Sequence, residues 1–298
     1  MYDALVSDAP RPAKPSRSDS RETAELRALK SAHPELADAV DMHLELLELQ
    51  RRIQSRVSLP WLAITTDTMN AHQASGRAVL RFEDIPLELT DLRLMVRQTA
   101  DVLRRHGALE DADYQKVQTI GRDMKLLSIV GQWYRSVAES HAVAAVGSGP
   151  ASAAAVDDDA ALGQVLALAM RPFLSRCAEV LQQRTELAIW THPYCALCGG
   201  EPEFAVITPA AERHLICGRC TLRWKYEPLT CPYCGNKERS RITSFATSDG
   251  KYRVYACDAC RRYLKAYDGR RGTRPVMPVA DMVATLPLDA AAMQKGYS

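Results

Sequence analysis

Four Cys-x-x-Cys pairs in the last third of the chain constrain its fold more than any other feature. They are Cys195-Ala-Leu-Cys198, Cys217-Gly-Arg-Cys220, Cys231-Pro-Tyr-Cys234 and Cys257-Asp-Ala-Cys260. Two intervening residues let both sulfurs of a pair point at one centre, and two pairs complete a tetrahedron around a thiophilic ion. One pair could be a redox dithiol, but four in succession point to metal binding. Gly199 and Gly235 directly follow the second cysteine of their pairs. Glycine there permits a left-handed turn that aims backbone N–H groups at the sulfurs. Neither four-sulfur centre lacks a ligand, whereas a catalytic zinc keeps a position open for water. The sites are therefore expected to be structural or electron-carrying, with no catalytic residue among them.

The segments between the pairs indicate which pairs share an ion. Glu203–Ile207 and Arg213–Ile216 flank a turn at Thr208-Pro-Ala-Ala211, and Arg241–Phe245 and Tyr252–Tyr255 flank Asp249-Gly250. Asp-Gly between alternating apolar residues is a strong hairpin signal. A hairpin goes out and returns, so each brings the pair before it beside the pair after it. That favours Cys195, Cys198, Cys217 and Cys220 at one centre, and Cys231, Cys234, Cys257 and Cys260 at the other. A nested arrangement would leave both hairpins unclosed. Ligand type alone does not choose between iron and zinc, because tetrahedral sulfur suits both.

Ahead of the cysteines the chain reads as helices. Residues 1–22 are rich in Pro, Ser and charge and are expected to form a disordered leader. Over 23–190, Leu36, Val40, Leu44 and Leu47 recur at helical spacing, widened by Leu46, Leu49 and Ile53. Leu92, Met95, Val96, Thr99 and Leu103 mark a second helix. A third is expected from about Tyr114 to Trp133. A fourth should follow Asp157-Asp158-Asp159 and pass Pro172, with a kink, towards Trp190. These features predict an antiparallel helical bundle. His43 and Cys177 read as packed residues rather than ligands or nucleophiles.

The N-terminus lacks the basic start and apolar run of an export signal. The Ala-rich stretch from Ser140 to Val156 is cut by Gly147-Ser148-Gly149-Pro150 and is too weakly apolar to span a bilayer. A cytoplasmic location without membrane insertion follows as the expectation, and reduced thiols there favour metal over disulfides. From Thr191 to Gly272 there are 14 Lys and Arg against 8 Asp and Glu, a difference of +6. Two four-thiolate centres, each at about −1 or −2, reduce this to a weakly basic module, so nucleic acid is not the expected partner.

The order PYCALCGGEP, RHLICGRCTLRW, CPYCG, YACDACRRYLKAYD and ATLPLDAAAMQKGY resembles the bacterial formate dehydrogenase accessory proteins, the FdhE family. The likeness runs from about Pro193 to Tyr297 and includes Trp224, Tyr263-Leu264-Lys265 and Leu288-Asp289. It implies an α+β multidomain chain: an N-terminal helical bundle, two small rubredoxin-like or zinc-ribbon-like β modules over 191–226 and 227–272, and a tail over 273–298. It also implies iron at the eight cysteines, zinc being the alternative, and a cytoplasmic maturation factor without enzymatic activity. The expected partner is the catalytic subunit of a formate dehydrogenase, met before export. Trp224, Tyr226, Tyr252, Tyr255 and Tyr263 are a candidate docking face. The alternative is a zinc-ribbon protein that binds nucleic acid or a nucleoprotein complex.

Overall fold

The apolar periodicity of the first two-thirds resolves into helices α1 (Arg17–Ala32), α2 (Ala37–Gln54), α3 (Thr66–Ser75), α4 (Leu89–Arg105), α5 (Asp111–Ile120), α6 (Leu126–Ala144) and α7 (Ala160–Gln182). The structure is a computed structural model that describes residues 17–144 and 159–298. Residues 1–16 of the expected leader therefore lie outside the described residues, while residues 17–22 are helical and belong to α1. The Ala-rich stretch lies outside them from residue 145. Among the described residues, no helix is long and apolar enough to cross a membrane.

The expected apolar faces are the buried ones. Leu92, Met95, Val96, Thr99 and Leu103 of α4 are all fully buried, and Val40, Leu46, Leu47, Leu49 and Ile53 line the inner side of α2. These two helices pack on each other and on α7. One expected helix is instead two. The chain turns at Gly121, and the Asp123 carboxylate accepts the Lys125 N–H (2.7 Å), so α5 and α6 part there. Such short-range side-chain bonds offer the backbone an alternative to continuing a helix. α7 starts where the acids suggested: the Asp159 side chain accepts the Leu162 N–H (3.1 Å) as an N-cap. It runs through Pro172 but ends at Gln182, short of Trp190.

The cysteine region folds into β1 (Pro202–Ile207), β2 (Arg213–Cys217), β3 (Arg223–Tyr226), β4 (Ile242–Ala246), β5 (Tyr252–Cys257) and β6 (Tyr263–Asp268). Both expected hairpins form, β1–β2 and β4–β5, and each gains a third strand after its second cysteine pair. The two ribbons do not stand apart. β1 and β6 pair in parallel from Phe204–Lys265 to Ile207–Asp268, giving one six-stranded sheet in the order β3-β2-β1-β6-β5-β4. A ribbon's edge strand presents unpaired N–H and C=O groups, and each ribbon covers an edge of the other.

The tail forms α8 (Pro278–Ala284) and α9 (Leu286–Gln294). Val279, Ala280 and Val283 of α8 pack with Leu26, Leu36, Val40 and Leu47 of the N-terminal helices. Ala292 and Tyr297 pack on Val254 and Ala256 of β5. The Glu22 carboxylate accepts the Val279 N–H (2.8 Å) at the start of α8. The main core likewise runs without interruption from Leu46 and Phe173 to Cys198 and Leu264, so helices and sheet share one interior.

Candidate metal centres

All four cysteine pairs adopt the same backbone turn. In each, the N–H of the first cysteine is donated to the carbonyl five residues on: Gly200, Leu222, Asn236 and Arg262 respectively, at 2.9–3.0 Å. The residue after the second cysteine returns its N–H to the first cysteine's carbonyl. That residue is left-handed in every case: Gly199 (φ 69°), Thr221 (φ 62°), Gly235 (φ 72°) and Arg261 (φ 61°). Two of the four therefore hold a conformation that costs an L-residue about 1–2 kcal/mol.

The hairpins bring the pairs together consecutively. Cys195, Cys198, Cys217 and Cys220 form one cluster, and Cys231, Cys234, Cys257 and Cys260 the other, with the sulfurs of each within 4.8 Å of one another. In the first, Cys195–Cys220 and Cys198–Cys217 are each 3.5 Å apart. In the second, Cys231–Cys260 is 3.8 Å and Cys234–Cys257 is 3.7 Å. A tetrahedron with metal–sulfur bonds of ~2.3 Å has edges of about 3.8 Å, whereas a disulfide would need sulfurs about 2.05 Å apart. Donor chemistry and spacing fit a thiophilic ion in both clusters.

The electrostatics of the first cluster point the same way. All four of its sulfurs lie in the protein interior. Burial pushes the Cys195 and Cys220 thiols up, while hydrogen bonds from the neighbouring cysteines hold Cys198 well below the usual thiol range. Burial opposes ionisation of these sulfurs, and a bound cation would offset that cost. Arg219, between the cysteines of the second pair, donates to the Cys198 carbonyl (3.4 Å) and lies over the rings of Trp133 (4.2 Å) and Tyr134 (5.0 Å) of α6. It supplies positive charge from within the turn itself.

The helical region also grips the first cluster directly. The extended segment before α4 donates Val79 N–H to the Ala196 carbonyl (2.8 Å) and Leu80 N–H to the Leu197 carbonyl (2.9 Å). The Tyr194 hydroxyl bonds the Gly76 carbonyl (2.8 Å), and Arg171 of α7 bonds the Gly218 carbonyl (2.6 Å).

No family model matches the chain. Among curated proteins, it is 34% identical over 107 residues to an FdhE homolog of Shewanella oneidensis, covering 35% of each chain. It is 30% identical over 113 residues to an FdhE homolog of Aquifex aeolicus, covering 36% of this chain and 40% of that one. The matched segments thus span little more than a third of these relatives' length. The crystal structure of the FdhE protein from Pseudomonas aeruginosa overlays on 96% of this chain and 94% of that one, with a TM-score of 0.58 at 20% identity. The chain thus resembles FdhE proteins in sequence over its cysteine region and shares the fold of one of them over nearly its whole length.

Of the five aromatics expected to form a docking face, Tyr226 and Tyr255 are half-buried, and the other three are engaged within the protein. Trp224 is buried, and its indole N–H is donated to the His192 carbonyl (3.1 Å). The Tyr252 and Tyr263 hydroxyls are donated inward to Asp281 (2.8 Å) and Asp289 (2.7 Å). Lys265 pairs with Asp289 at 2.6 Å, so residues flanking the fourth cysteine pair hold the tail in place. His43 is half-buried, its Nδ1 bonded to the Ala39 carbonyl (2.7 Å), and burial lowers its pKa. It lines a cleft of about 540 Å³ with Glu203, Tyr233, Lys265, Leu286 and Asp289, where helices, sheet and tail meet. Cys177 is fully buried, its thiol pushed up to about 12, which suits packing rather than reaction.

Arg219 and the Val79-Leu80 clamp carry no sequence signal before the fold is seen. The left-handed positions do carry one, at a fixed place in each turn, but glycine marks only two of the four. Those two glycines differ in surroundings. A Cβ on Gly199 would meet the Ala138 Cα of α6 at 2.8 Å, while one on Gly235 would meet nothing within 4 Å. Gly235→Ala is therefore expected to cost about 1–2 kcal/mol from backbone strain alone. Gly199→Ala adds a backbone clash, raising its cost to about 3 kcal/mol or more. Denaturant unfolding of the two variants measures the difference, and equal losses would contradict the packing of the first turn on α6.

Proposed function

We propose that this chain is an accessory factor required for an active formate dehydrogenase. It acts in the cytoplasm, binds the enzyme's catalytic subunit and catalyses no reaction itself. Cys195, Cys198, Cys217 and Cys220 hold one iron ion in this reading, and Cys231, Cys234, Cys257 and Cys260 a second. Iron there would supply one-electron chemistry as well as a cross-link between hairpin ends. The observation that carries the reading is the order of four cysteine pairs with Trp224, Lys265 and Asp289 in their family places. The FdhE-like fold over nearly the whole chain supports it.

The reading is tested by deleting the gene in its native host and assaying formate-dependent dye reduction. Activity is expected to disappear and to return with a plasmid copy. Undiminished activity in the deletion strain would sink the proposal. Affinity isolation of the tagged chain, with metal analysis of the same sample, examines partner and ion together. The formate dehydrogenase subunit and iron are expected, the latter giving a red protein. A colourless zinc protein with salt-sensitive DNA binding would instead support the nucleic-acid alternative.

A further inference from the structure

We propose that the two centres divide their work: the second, through Cys234, is an exchange site open to soluble chelators, and the first is locked. This rests on the reading that both clusters bind metal. The backbone turns are alike in the two, so the difference lies in what surrounds them. Every sulfur of the first cluster is buried, whereas in the second Cys234 is exposed and Cys260 half-buried.

The cover over the first cluster comes from outside the sheet. The Val79-Leu80 backbone clamp, the Arg219 side chain under Trp133 and Tyr134, and the contact of Gly199 with Ala138 close it from three directions. At the equivalent position Gly235 faces open space, and residues 237–241 beyond it are all exposed. β4, which borders this cluster, is the outer strand of the sheet. Lys237, Arg239 and Arg241 stand against Glu238 in that segment, a surplus of two positive charges. An anionic carboxylate or thiolate chelator is therefore the ligand class that this surface admits.

Exchange at the second centre needs no oxidant or reductant. With an ion bound, donor atoms of the chelator would replace Cys234 Sγ first and then the sulfurs of Cys260, Cys231 and Cys257, each released thiolate taking a proton from water. The exchanged ion keeps its oxidation state throughout. At the first centre the same approach requires the clamp to open first, and buried packed segments open far less often than exposed loops.

The test uses the full chain loaded with zinc, which avoids redox side reactions. Elemental analysis first establishes the loading. A colorimetric zinc chelator in excess then follows release, and alkylation with peptide mass mapping identifies the freed cysteines. Two equivalents are expected to leave in two phases separated by more than about tenfold in rate. The fast phase should free Cys231, Cys234, Cys257 and Cys260, and Cys234→Ser should abolish it while one slow equivalent remains. A single phase from a doubly loaded protein, or a fast phase that frees Cys195 and Cys198, overturns the division alone. A chain that takes up no zinc or iron overturns the metal reading with it. The peptide map of the unmodified chain decides the matter even if Cys234→Ser folds poorly.

Discussion

Replacing Cys198 with serine should deprive the chain of its native core, not merely of one ion. Cys198 is fully buried in the same cluster of side chains that joins α4, α6 and α7 to the sheet. Serine would leave a hydroxyl among three thiols in a space no water reaches, with one of the four sulfur ligands removed. Structural tetrathiolate sites contribute on the order of 10 kcal/mol to the folding of small metal domains. A domain's whole stability is about 5–15 kcal/mol. The expected result is an insoluble or molten chain, with near-UV circular dichroism lost and helical far-UV signal partly kept. Cys234→Ser should retain a cooperative thermal transition, since that residue is exposed. A Cys198→Ser protein that melts like the parent would show that the first cluster contributes no stability.

The second large effect is expected at Asp281. Its side chain is completely buried, and it accepts hydrogen bonds from the Tyr252 hydroxyl (2.8 Å), the Met277 N–H (2.7 Å) and Arg274 Nη2 (2.6 Å). Arg274 also pairs with Glu25 of α1 at 3.0 Å, and it lies over the Tyr267 ring. One carboxylate therefore ties the sheet, the tail and the first helix together. Removing one member of a buried pair costs about 3–5 kcal/mol, because the partner is left with its charge uncompensated. Arg274 is partly exposed, and water recovers some of that loss, so Asp281→Ala should cost about 3 kcal/mol. Asp281→Asn, which keeps the shape and one acceptor, should cost less. Urea unfolding of both variants checks the order, and an Asp281→Ala midpoint equal to the parent's would remove this network from the account of stability.

The eight cysteines and their consecutive grouping were legible because the signal is local. Spacing within a pair and a hairpin such as that at Asp249-Gly250 are both written in a few adjacent residues. The buried face of α4 was legible for the same reason, through its helical period. The joining of the ribbons through β1 and β6 was not, since about sixty residues separate Phe204 from Lys265 and either strand reads as an edge. Nor could periodicity show that Val79 and Leu80 would bond to the first cysteine turn. Trp224 and Tyr252 misled in the other direction: an aromatic among short β-rich segments looks like surface until the element that covers it is known. The turn between α5 and α6 was signalled by Gly121 and Asp123 and was overridden by the apolar period on both sides.

The seating of α8 against α1 and α2 has a consequence for the order of events on the ribosome. Leu26, Leu36, Val40 and Leu47 are made early, yet their cover includes Val279, Ala280 and Val283. At about 5–20 residues per second, the interval between the two stretches is on the order of 10–50 s. Throughout it the nascent helices carry an incompletely covered apolar stripe and depend on slow aggregation or on a chaperone to stay competent. Translation of the tail, rather than completion of the helical stretch, marks the moment at which this protein can close its structure.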